Sequence, residues 1–490
     1  MNGFITLAAG APILLVCGLL ALRVRAIVAA LAAIAAAVLV SLAWFPIDSA
    51  TATETVQTLG PLLIEVVLII LGGVLLAEVL TASGAQTTIA RWLTDACRGR
   101  GRVVLLIALG VTPFAESVTG FGLGVIVGIP LLRHIGLSRV KSAIVALLGL
   151  VLVPWGSLAP GTLIAAELGG VDFVELGTWS AIFTLPVLLI AAPTILLIAV
   201  GPAEARRSIG DAIAVVSVMW LTLIGANIVL GPPLAGVAAS VMTIVVVLLI
   251  ARLVERNRLS VDRVLGRALL PYAVLIVGLL SSSLVVRMLP LGPAGRILSS
   301  PALWLLVTGA LAFWLLRIQR DAVPALVRSS ARRGGPVAIT TTLFLILGGL
   351  LAASGTSGHL AEVASQLGPL YLVFIPFVGA IGGYVTGSNS GASAMFSAST
   401  ADAALTLGAD PLTAVATQNV GASAAIMASP PRVALAMSVA AASDDAEAKT
   451  TGGVEEPEAC APASAPVTRV ALLVSVSIAL VLGVCTVIFA

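Results

Sequence analysis

The sequence predicts an all-α polytopic membrane protein with about 12 transmembrane helices and two opposed re-entrant hairpins in inverted repeats, an elevator-like architecture. Composition, the placement of basic residues and an internal repeat predict it. Of the 490 residues, 59% are hydrophobic and only 10% are charged, whereas soluble globular chains carry about 25% charged residues. Apolar runs near 20 residues, enough to cross a bilayer core of roughly 30 Å, recur along the chain. An outer-membrane barrel would instead need segments of about ten residues in which apolar and polar residues alternate, and the sequence shows no such segments.

The apolar runs predict the individual spans. They lie at about 4–22, 26–46, 60–81, 142–165, 178–200, 211–230, 234–251, 268–289, 301–316, 336–354, 411–435 and 468–489. Two further apolar stretches, 103–132 and 369–408, are interrupted in the middle by Gly-rich polar sequence. Pro154 and Gly156 flank Trp155 and favour a kink or break in the fourth span.

Basic residues predict which connections face the cytoplasm. Most Lys and Arg residues fall in the connections 23–25, 91–102, 133–141, 206–207, 252–267 and 317–333, which the positive-inside rule places inside. Both flanks of 103–132 are therefore inside, so this segment is predicted to be a re-entrant hairpin, or alternatively a pair of spans. The same assignment of sides places both flanks of 369–408 outside, so this segment is predicted to be a hairpin entered from outside.

The boundaries divide the chain into six predicted units. They are the N-terminal helices 1–59, repeat 1 at 60–200 with hairpin 103–132, connecting and scaffold helices 201–335, repeat 2 at 336–440 with hairpin 369–408, an acidic cytoplasmic loop 441–467, and a C-terminal transmembrane helix 468–490. The loop is rich in Ala, Pro and acidic residues, a composition typical of disorder.

Three pairs of similar segments, in the same order, indicate the repeat. Residues 68–85 resemble 343–360, VTGFGLG (118–124) resembles VTGSNSG (385–391), and 136–149 resemble 408–421. The placement of basic residues predicts that the span 60–81 runs from outside to inside and that the span 336–354 runs from inside to outside. The two repeats are therefore predicted to be inverted. Inverted repeats with broken helices are typical of secondary transporters, whose substrate site lies near the membrane midplane.

The two hairpin tips are the predicted substrate site. Unpaired backbone groups are tolerated at membrane depth only inside protein or beside water, and a helix starting after each tip offers free N–H groups to an anion. The candidate substrate-binding residues are Thr119, Gly120, Thr386, Gly387, Ser388, Asn389, Ser390, Gln418 and Asn419. Packing between helices is the alternative for the small residues, and bonds between helices are the alternative for the two amides of the helix 411–435.

Two charged residues near the tips have two interpretations each. Glu116 lies inside an apolar segment, where ionisable groups are usually functional. It is predicted to carry the coupled proton, and a structural carboxylate that caps nearby N–H groups is the alternative. Arg432 is predicted to be a cytoplasmic anchor, with a contact to the substrate carboxylate as the alternative.

Other classes of function lack support in the sequence. No GxxxxGK[ST] loop for ATP occurs, and no catalytic or metal-binding constellation stands out among the Ser, His, Asp and four Cys residues. No enzyme activity, cofactor or metal is therefore predicted. An integral membrane enzyme acting on lipids would need a nucleophile or metal cluster, and a passive channel has less need of inverted hairpins.

The tip sequences resemble those of one known family. FAESVTGFG (114–122) resembles the ExxxGFG element of the L-lactate permease family, PFVGAIGGYVTGSNSGASAMF (376–396) its TGSN region, and AVATQNVG (414–421) its next helix. The sequence departs from the family at Leu123 and Gly124, where Thr-Pro is usual, at Ser393, where Asn is usual, and at Pro431 and Arg432, where small or amide residues are usual. These departures surround the expected site and bear on which carboxylate is carried.

The resemblance implies a secondary active transporter that moves L-lactate, glycolate or a similar 2-hydroxymonocarboxylate across the bacterial-type inner (plasma) membrane by proton symport. A sodium-coupled carrier of a di- or tricarboxylate is the alternative. The expected partners are a small carboxylate, protons and membrane lipid, with no nucleic acid. A homodimer is left open.

Overall fold

A computed structural model describes residues 2–120, 122–255, 262–289, 291–451 and 464–490. Across these residues the secondary structure is helical and contains no strand. Eleven of the described helical segments are long and apolar enough to cross a membrane, judged by length and composition. The prediction of an all-helical polytopic membrane protein is thus confirmed, while same-side entry of the hairpins and elevator motion stay predictions.

The first part of the chain, up to residue 207, contains the first tip. Its helices are α1 Asn2–Ala21, α2 Ala26–Trp44, α3 Ser49–Ala82, α4 Ala85–Asp95, α5 Arg100–Leu105, α6 Thr112–Thr119, α7 Leu123–His134, α8 Arg139–Leu148, α9 Pro160–Gly169 and α10 Phe173–Arg207. A π-helical segment, Leu106–Val111, joins α5 to α6, and a 3₁₀ segment, Val153–Leu158, lies between α8 and α9.

The remaining part contains the connecting helices and the second tip. Its helices are α11 Ile209–Leu230, α12 Pro232–Glu255, α13 Arg263–Met288, α14 Gly292–Ser299, α15 Pro301–Leu315, α16 Val323–Ala353, α17 Thr356–Ser365, α18 Leu370–Thr386, α19 Asn389–Thr406, α20 Pro411–Ile426, α21 Pro430–Thr451 and α22 Ser464–Phe489, with a 3₁₀ turn at Arg320–Ala322.

One order of elements occurs twice, as the sequence repeat predicts. A long helix (α3, α16) precedes a short helix (α4, α17), two helices that meet at a tip, a broken helix (α8–α9, α20–α21) and a further long helix (α10, α22). The second half of each broken helix packs against the opposite tip: α9 contacts α19, and α21 contacts α7. This exchange places groups from both halves around each tip.

The first tip lies deep in protein. In the segment Arg100–Thr119, 89% of the most apolar 18-residue window is buried, against 17% for the corresponding window of α1. Irregular backbone at membrane depth is tolerated where protein surrounds it. The π-helical turn and the tip that follows it therefore sit where their backbone groups can be satisfied by the fold.

Two predicted spans are broken in the structure. The fourth, 142–165, divides into α8, a 3₁₀ segment and α9, with positive φ angles at residues 157–159. The break favoured by Pro154 and Gly156 is confirmed. The span 411–435 stops at Ile426 and restarts at Pro430, because a proline lacks the N–H that would continue the preceding helix.

The acidic loop is shorter than predicted. Helix α21 continues to Thr451 and α22 begins at Ser464, so both ends of the predicted loop 441–467 are helical. Its middle, residues 452–463, lies outside the described residues, as does Phe121 in the first tip.

Candidate functional site

The first tip turns on two glycines with left-handed backbone. Gly120 ends α6 with φ +65°, and Gly122 precedes α7 with φ +88°. A Cβ atom on Gly120 would lie 2.6 Å from the Cβ atom of Ser157. Only glycine combines this backbone conformation with so close an approach. The tip is therefore packed directly onto the break between α8 and α9.

The second tip repeats this arrangement. Gly387 ends α18 with φ +65°, and a Cβ atom on it would lie 2.7 Å from Cγ of Pro431 and 3.3 Å from Oγ of Ser429. Ser429 precedes α21, so this tip packs onto the break between α20 and α21. When the alignment of 136–149 with 408–421 is continued, Ser157 and Ser429 correspond. Each tip thus rests on an equivalent serine in a helix break.

Glu116 caps the helix that follows the first tip. Its carboxylate accepts hydrogen bonds from the N–H of Gly122 at 3.1 Å and of Gly124 at 3.2 Å, and its side chain is 3% exposed. A carboxylate is favourable at this positive end of a helix. The sequence analysis predicted that the N–H groups at the start of α7 bind the substrate anion. In the structure the carboxylate of Glu116 accepts hydrogen bonds from them instead.

Arg432 lies between the two tips. Its Nη2 atom is 3.6 Å from Oε1 of Glu116, and its side chain is only 12% exposed. The Nη1 atom is buried and has no hydrogen-bond partner, and it lies against Gly122. This position does not fit an anchor at the end of an uninterrupted span, because the helix break turns the start of α21 toward α7.

A cavity of about 330 Å³ opens beside the second tip and is walled by α2, α16, the tip and the first turn of α21. Its polar lining residues are Thr340, Thr341, Thr386, Ser388 and Arg432. The volume is at the lower end of the range for small-molecule sites, roughly 300–1,000 Å³. One buried cation and several hydroxyl groups suit a small anion that also carries a hydroxyl group.

Hydroxyl groups of the second tip hold its turn. The Thr386 hydroxyl donates to the carbonyl of Gly382 or Ser388, at 2.7 and 3.0 Å, and accepts from the N–H of Ser388 at 3.1 Å. The Ser388 hydroxyl accepts a longer bond, 3.4 Å, from the N–H of Gly391. Ser388 therefore has capacity to bind a ligand, and Thr386 mainly fixes the backbone that presents it.

A buried network on the other side of the second tip joins the two halves of the chain. The Asn389 amide donates to Oδ1 of Asn419 at 2.7 Å, and the Asn419 amide donates to the hydroxyls of Thr162 at 3.2 Å and Ser180 at 3.1 Å. Oδ1 of Asn389 has no partner. Of the two interpretations of Asn419, the structure supports bonds between helices.

The remaining candidates do not line the cavity. Gln418 is fully buried and accepts from the Ser397 hydroxyl at 3.0 Å, while its Nε2 has no partner. Thr119 donates to the carbonyl of Ala115, and Ser390 is 9% exposed. The structure thus brings only Thr386, Gly387 and Ser388 of the predicted substrate-binding set to the cavity.

Sequence reasoning missed several polar side chains. Thr340 and Thr341 line the cavity, and the hydroxyls of Ser157 and Ser429 are buried without partners. Extending the repeat alignment by eight residues pairs these two serines, so the sequence did contain that signal. Nothing local in the sequence marks the two threonines, which lie inside an apolar helix.

Two other cavities have almost entirely apolar linings. One of about 550 Å³ lies between α10 and α11, and one of about 180 Å³ is bordered by α4, α12 and α13. Neither offers a carboxylate a buried cation with hydroxyl partners. A further cavity of about 370 Å³ has a polar lining that includes Asp95, Arg98, Arg100 and His134, but it contains no residue of either tip. Because the tips are the predicted substrate site, the cavity at the second tip is the candidate site.

Comparison with known proteins agrees with the tip sequences. A family model described as L-lactate permease matches residues 5–263 and 284–449. An L-lactate permease from Streptococcus iniae is 21% identical over 362 residues, which cover 68% of this chain and 76% of that protein. The residues that the family model matches include both tips and both broken helices.

Proposed function

This chain belongs to the L-lactate permease family, and from that premise we propose that it carries a small 2-hydroxymonocarboxylate such as L-lactate or glycolate by proton symport. Membership makes it a transporter and not an enzyme, and its eleven candidate spans make it a multi-pass protein of the cell membrane. The observation that carries the proposal is the cavity at the second tip, where the mostly buried guanidinium of Arg432 lies beside hydroxyl groups that can bind a ligand.

The cavity matches the two polar groups of a 2-hydroxy acid. A carboxylate suits the planar donor set of Arg432, because charge-assisted hydrogen bonds are among the strongest that proteins form. The substrate hydroxyl can donate to or accept from Ser388, whose present bond to the backbone is long. The tip glycine, Gly387, lets the backbone come close to the ligand.

Glu116 is the proposed proton carrier. It is the carboxylate next to the tips, and its side chain is almost fully buried. Taking up a proton there neutralises a charge that would otherwise cross the membrane in a low-dielectric site. Because Glu116 also contacts Arg432, the proton site and the proposed substrate site share a boundary.

The described conformation is proposed to be open to the cytoplasm. The cavity reaches Ala26 and Pro336, and each of these follows arginines that the charge pattern places inside, at 23–25 and 332–333. Alternating access would then move the tips and broken helices so that the same site faces outward. We propose an elevator-like movement for this step.

The test is uptake of radiolabelled L-lactate into proteoliposomes. An inward proton gradient without sodium should drive accumulation above equilibrium, and glycolate should compete. A sodium gradient at equal pH should drive none. Accumulation that needs sodium, or failure to move any hydroxymonocarboxylate under either gradient, would overturn the proposal.

A sodium-coupled carrier of a di- or tricarboxylate is the second candidate. The observation that favours it is the pair of buried, unpartnered hydroxyls of Ser157 and Ser429 at the two helix breaks, since hydroxyl and carbonyl oxygens suit hard cations. Sodium-dependent uptake that Ser429→Ala abolishes would support this candidate. Proton-driven uptake that survives this substitution would exclude it.

A further inference from the structure

Arg432 is only partly engaged in this structure. The 3.6 Å distance between its Nη2 atom and Glu116 is an ion pair but is too long for a direct hydrogen bond, which needs about 2.7–3.2 Å. Its Nη1 atom is buried with no partner, which costs free energy because buried donors are normally satisfied. The guanidinium therefore has unused donors beside the cavity that it lines.

Resting on the proposed function, we infer that Arg432 directly binds the substrate carboxylate and that the substrate and the Glu116 carboxylate compete for it. In the empty site Glu116 balances the guanidinium. When the substrate anion binds, Arg432 turns its donors to it and Glu116 loses its charged partner. Glu116 then takes a proton from water, so that one anion and one proton enter together.

Charge balance in this exchange couples substrate binding to proton binding. Arg432, Glu116 and the substrate would together carry one net negative charge in a buried site, and an uncompensated buried charge is strongly unfavourable. Protonation of Glu116 restores neutrality. Substrate binding and proton binding are therefore each favoured by the other, and by linkage the effect is reciprocal.

Arg432 is the only charged residue among the described residues that line the cavity. Several charged groups on the helices that pack against α6 are engaged with other partners: Glu65 with Ser300, Glu78 with Ser329 and Arg333, Arg133 with the Leu137 carbonyl, and Glu255 with Arg102. The repeat position that corresponds to Arg432 is Pro160. The repeat therefore does not duplicate this cation, which fits a single anion site.

The test is binding of L-lactate and of its neutral amide, lactamide, to purified full-length protein between pH 5 and 8. The wild type should prefer lactate to lactamide by about tenfold or more, as expected for a hydrogen bond to a charged group. Its lactate affinity should fall as pH rises. Glu116→Gln should bind lactate at least as tightly and lose this pH dependence, because the competing carboxylate is gone.

Arg432→Gln alone leaves the buried Glu116 carboxylate without its charged partner, a change that is strongly destabilising and can unfold the protein. The double variant Glu116→Gln with Arg432→Gln removes both charges, keeps the size of the side chain at position 116 and shortens the side chain at position 432. It should fold, shown by a cooperative thermal transition, and should no longer discriminate lactate from lactamide. Arg207→Gln, which breaks the ion pair with Glu204 on α10, outside the cavity lining, is the control and should keep the wild-type preference.

The outcomes separate this inference from the proposed function. A folded double variant that still prefers lactate as the wild type does, or a Glu116→Gln protein that keeps the wild-type pH dependence, would overturn the exchange while lactate transport stands. A wild-type protein that binds no hydroxymonocarboxylate would instead remove the proposed function on which the inference rests.

Discussion

Glu116 and Arg432 come from opposite halves of the chain, yet Oε1 of the carboxylate lies 3.6 Å from Nη2 of the guanidinium, with the two side chains 3% and 12% exposed. Glu116 is fixed by N–H groups of its own tip, and Arg432 begins the helix on which the other tip rests. The pair therefore joins both tips. A change in the charge of either residue therefore alters contacts at both tips.

Glu116→Gln is expected to uncouple transport from the proton gradient. The amide keeps the size of the side chain and can still accept hydrogen bonds from the Gly122 and Gly124 N–H groups, but it cannot take up and release a proton. Accumulation of lactate against its gradient should be lost, and exchange of internal for external lactate should persist. Both are measured in the same proteoliposomes.

Glu78→Gln is the control for this loss. Glu78 is also a mostly buried carboxylate with an arginine partner, 13% exposed and 2.7 Å from Arg333, but it does not line the cavity. This variant should keep proton-driven accumulation. Uphill uptake by Glu116→Gln at the wild-type level would show that Glu116 is not the proton carrier.

Gly120→Ala should damage the first tip more than backbone strain alone explains. A left-handed backbone costs a residue with a side chain about 1–3 kcal/mol, and the new methyl group would meet Ser157 at 2.6 Å. Gly136→Ala shares the positive φ, +85°, but has nothing within 4 Å of its added Cβ. The thermal unfolding midpoint should therefore fall clearly further for Gly120→Ala.

A second substitution tests whether the contact with Ser157 is the cause. Ser157→Gly removes the Cβ atom that Gly120→Ala meets, and glycine also accepts the positive φ, +45°, at position 157. The double variant should recover part of the lost unfolding midpoint and of the lactate exchange. If Gly120→Ala and Gly136→Ala are equally destabilised, the tip is not packed on the helix break as described.

The spans and the tips could be predicted because they depend on local composition. Runs of apolar residues set the ends of helices such as α1, α2 and α11 within a few residues. The break in the fourth span was visible in Pro154 and Gly156. The break at 427–429 was not predicted, although Pro430 and Pro431 mark it, because the apolar pattern continues across these residues.

The position of Arg432 could not be predicted because it depends on that second break. An uninterrupted span 411–435 would carry the arginine to a helix end in the cytoplasm. The break instead makes it the third residue of a new helix that packs against α7. Likewise, the partners of Asn419 come from α9 and α10, more than two hundred residues earlier in the chain, and local patterns carry no record of such contacts.

Asn419→Ala should destabilise the contact between the two halves. The side chain accepts from Asn389 and donates to Thr162 and Ser180, so its removal leaves an amide and two hydroxyls with fewer partners. Leaving buried polar groups unsatisfied costs about 1–3 kcal/mol each. We expect a lower thermal unfolding midpoint and slower lactate exchange.

Ser477→Ala provides the comparison for Asn419→Ala. Its hydroxyl bonds only to a carbonyl of its own helix and is exposed on the surface of the bundle, so its loss should change stability by no more than about 0.5 kcal/mol. Equal unfolding midpoints for the two variants would show that the Asn419 network does not hold α20 against α9 and α10.

Cysteine accessibility tests the side from which the cavity opens. Thr340 lines the cavity, and its hydroxyl bonds only to the carbonyl of Pro336, so Thr340→Cys should fold normally. In a background without the four native cysteines, a membrane-impermeant thiol reagent should modify it from the cytoplasmic side and not from the external side. Lactate should slow the reaction, since substrate in the cavity would cover this wall.

Thr53→Cys calibrates the sidedness of the reagent. This exposed residue lies at the start of α3, in the connection 47–59 that the charge pattern places outside, so it should react from the external side only. The two positions lie on α3 and α16, whose opposite orientations follow from the inverted repeat. Labelling of both cysteines from one side would contradict the orientation of the repeats as well as the cytoplasmic opening. Labelling of Thr340→Cys only from outside would show that the cavity exists but opens to the external side.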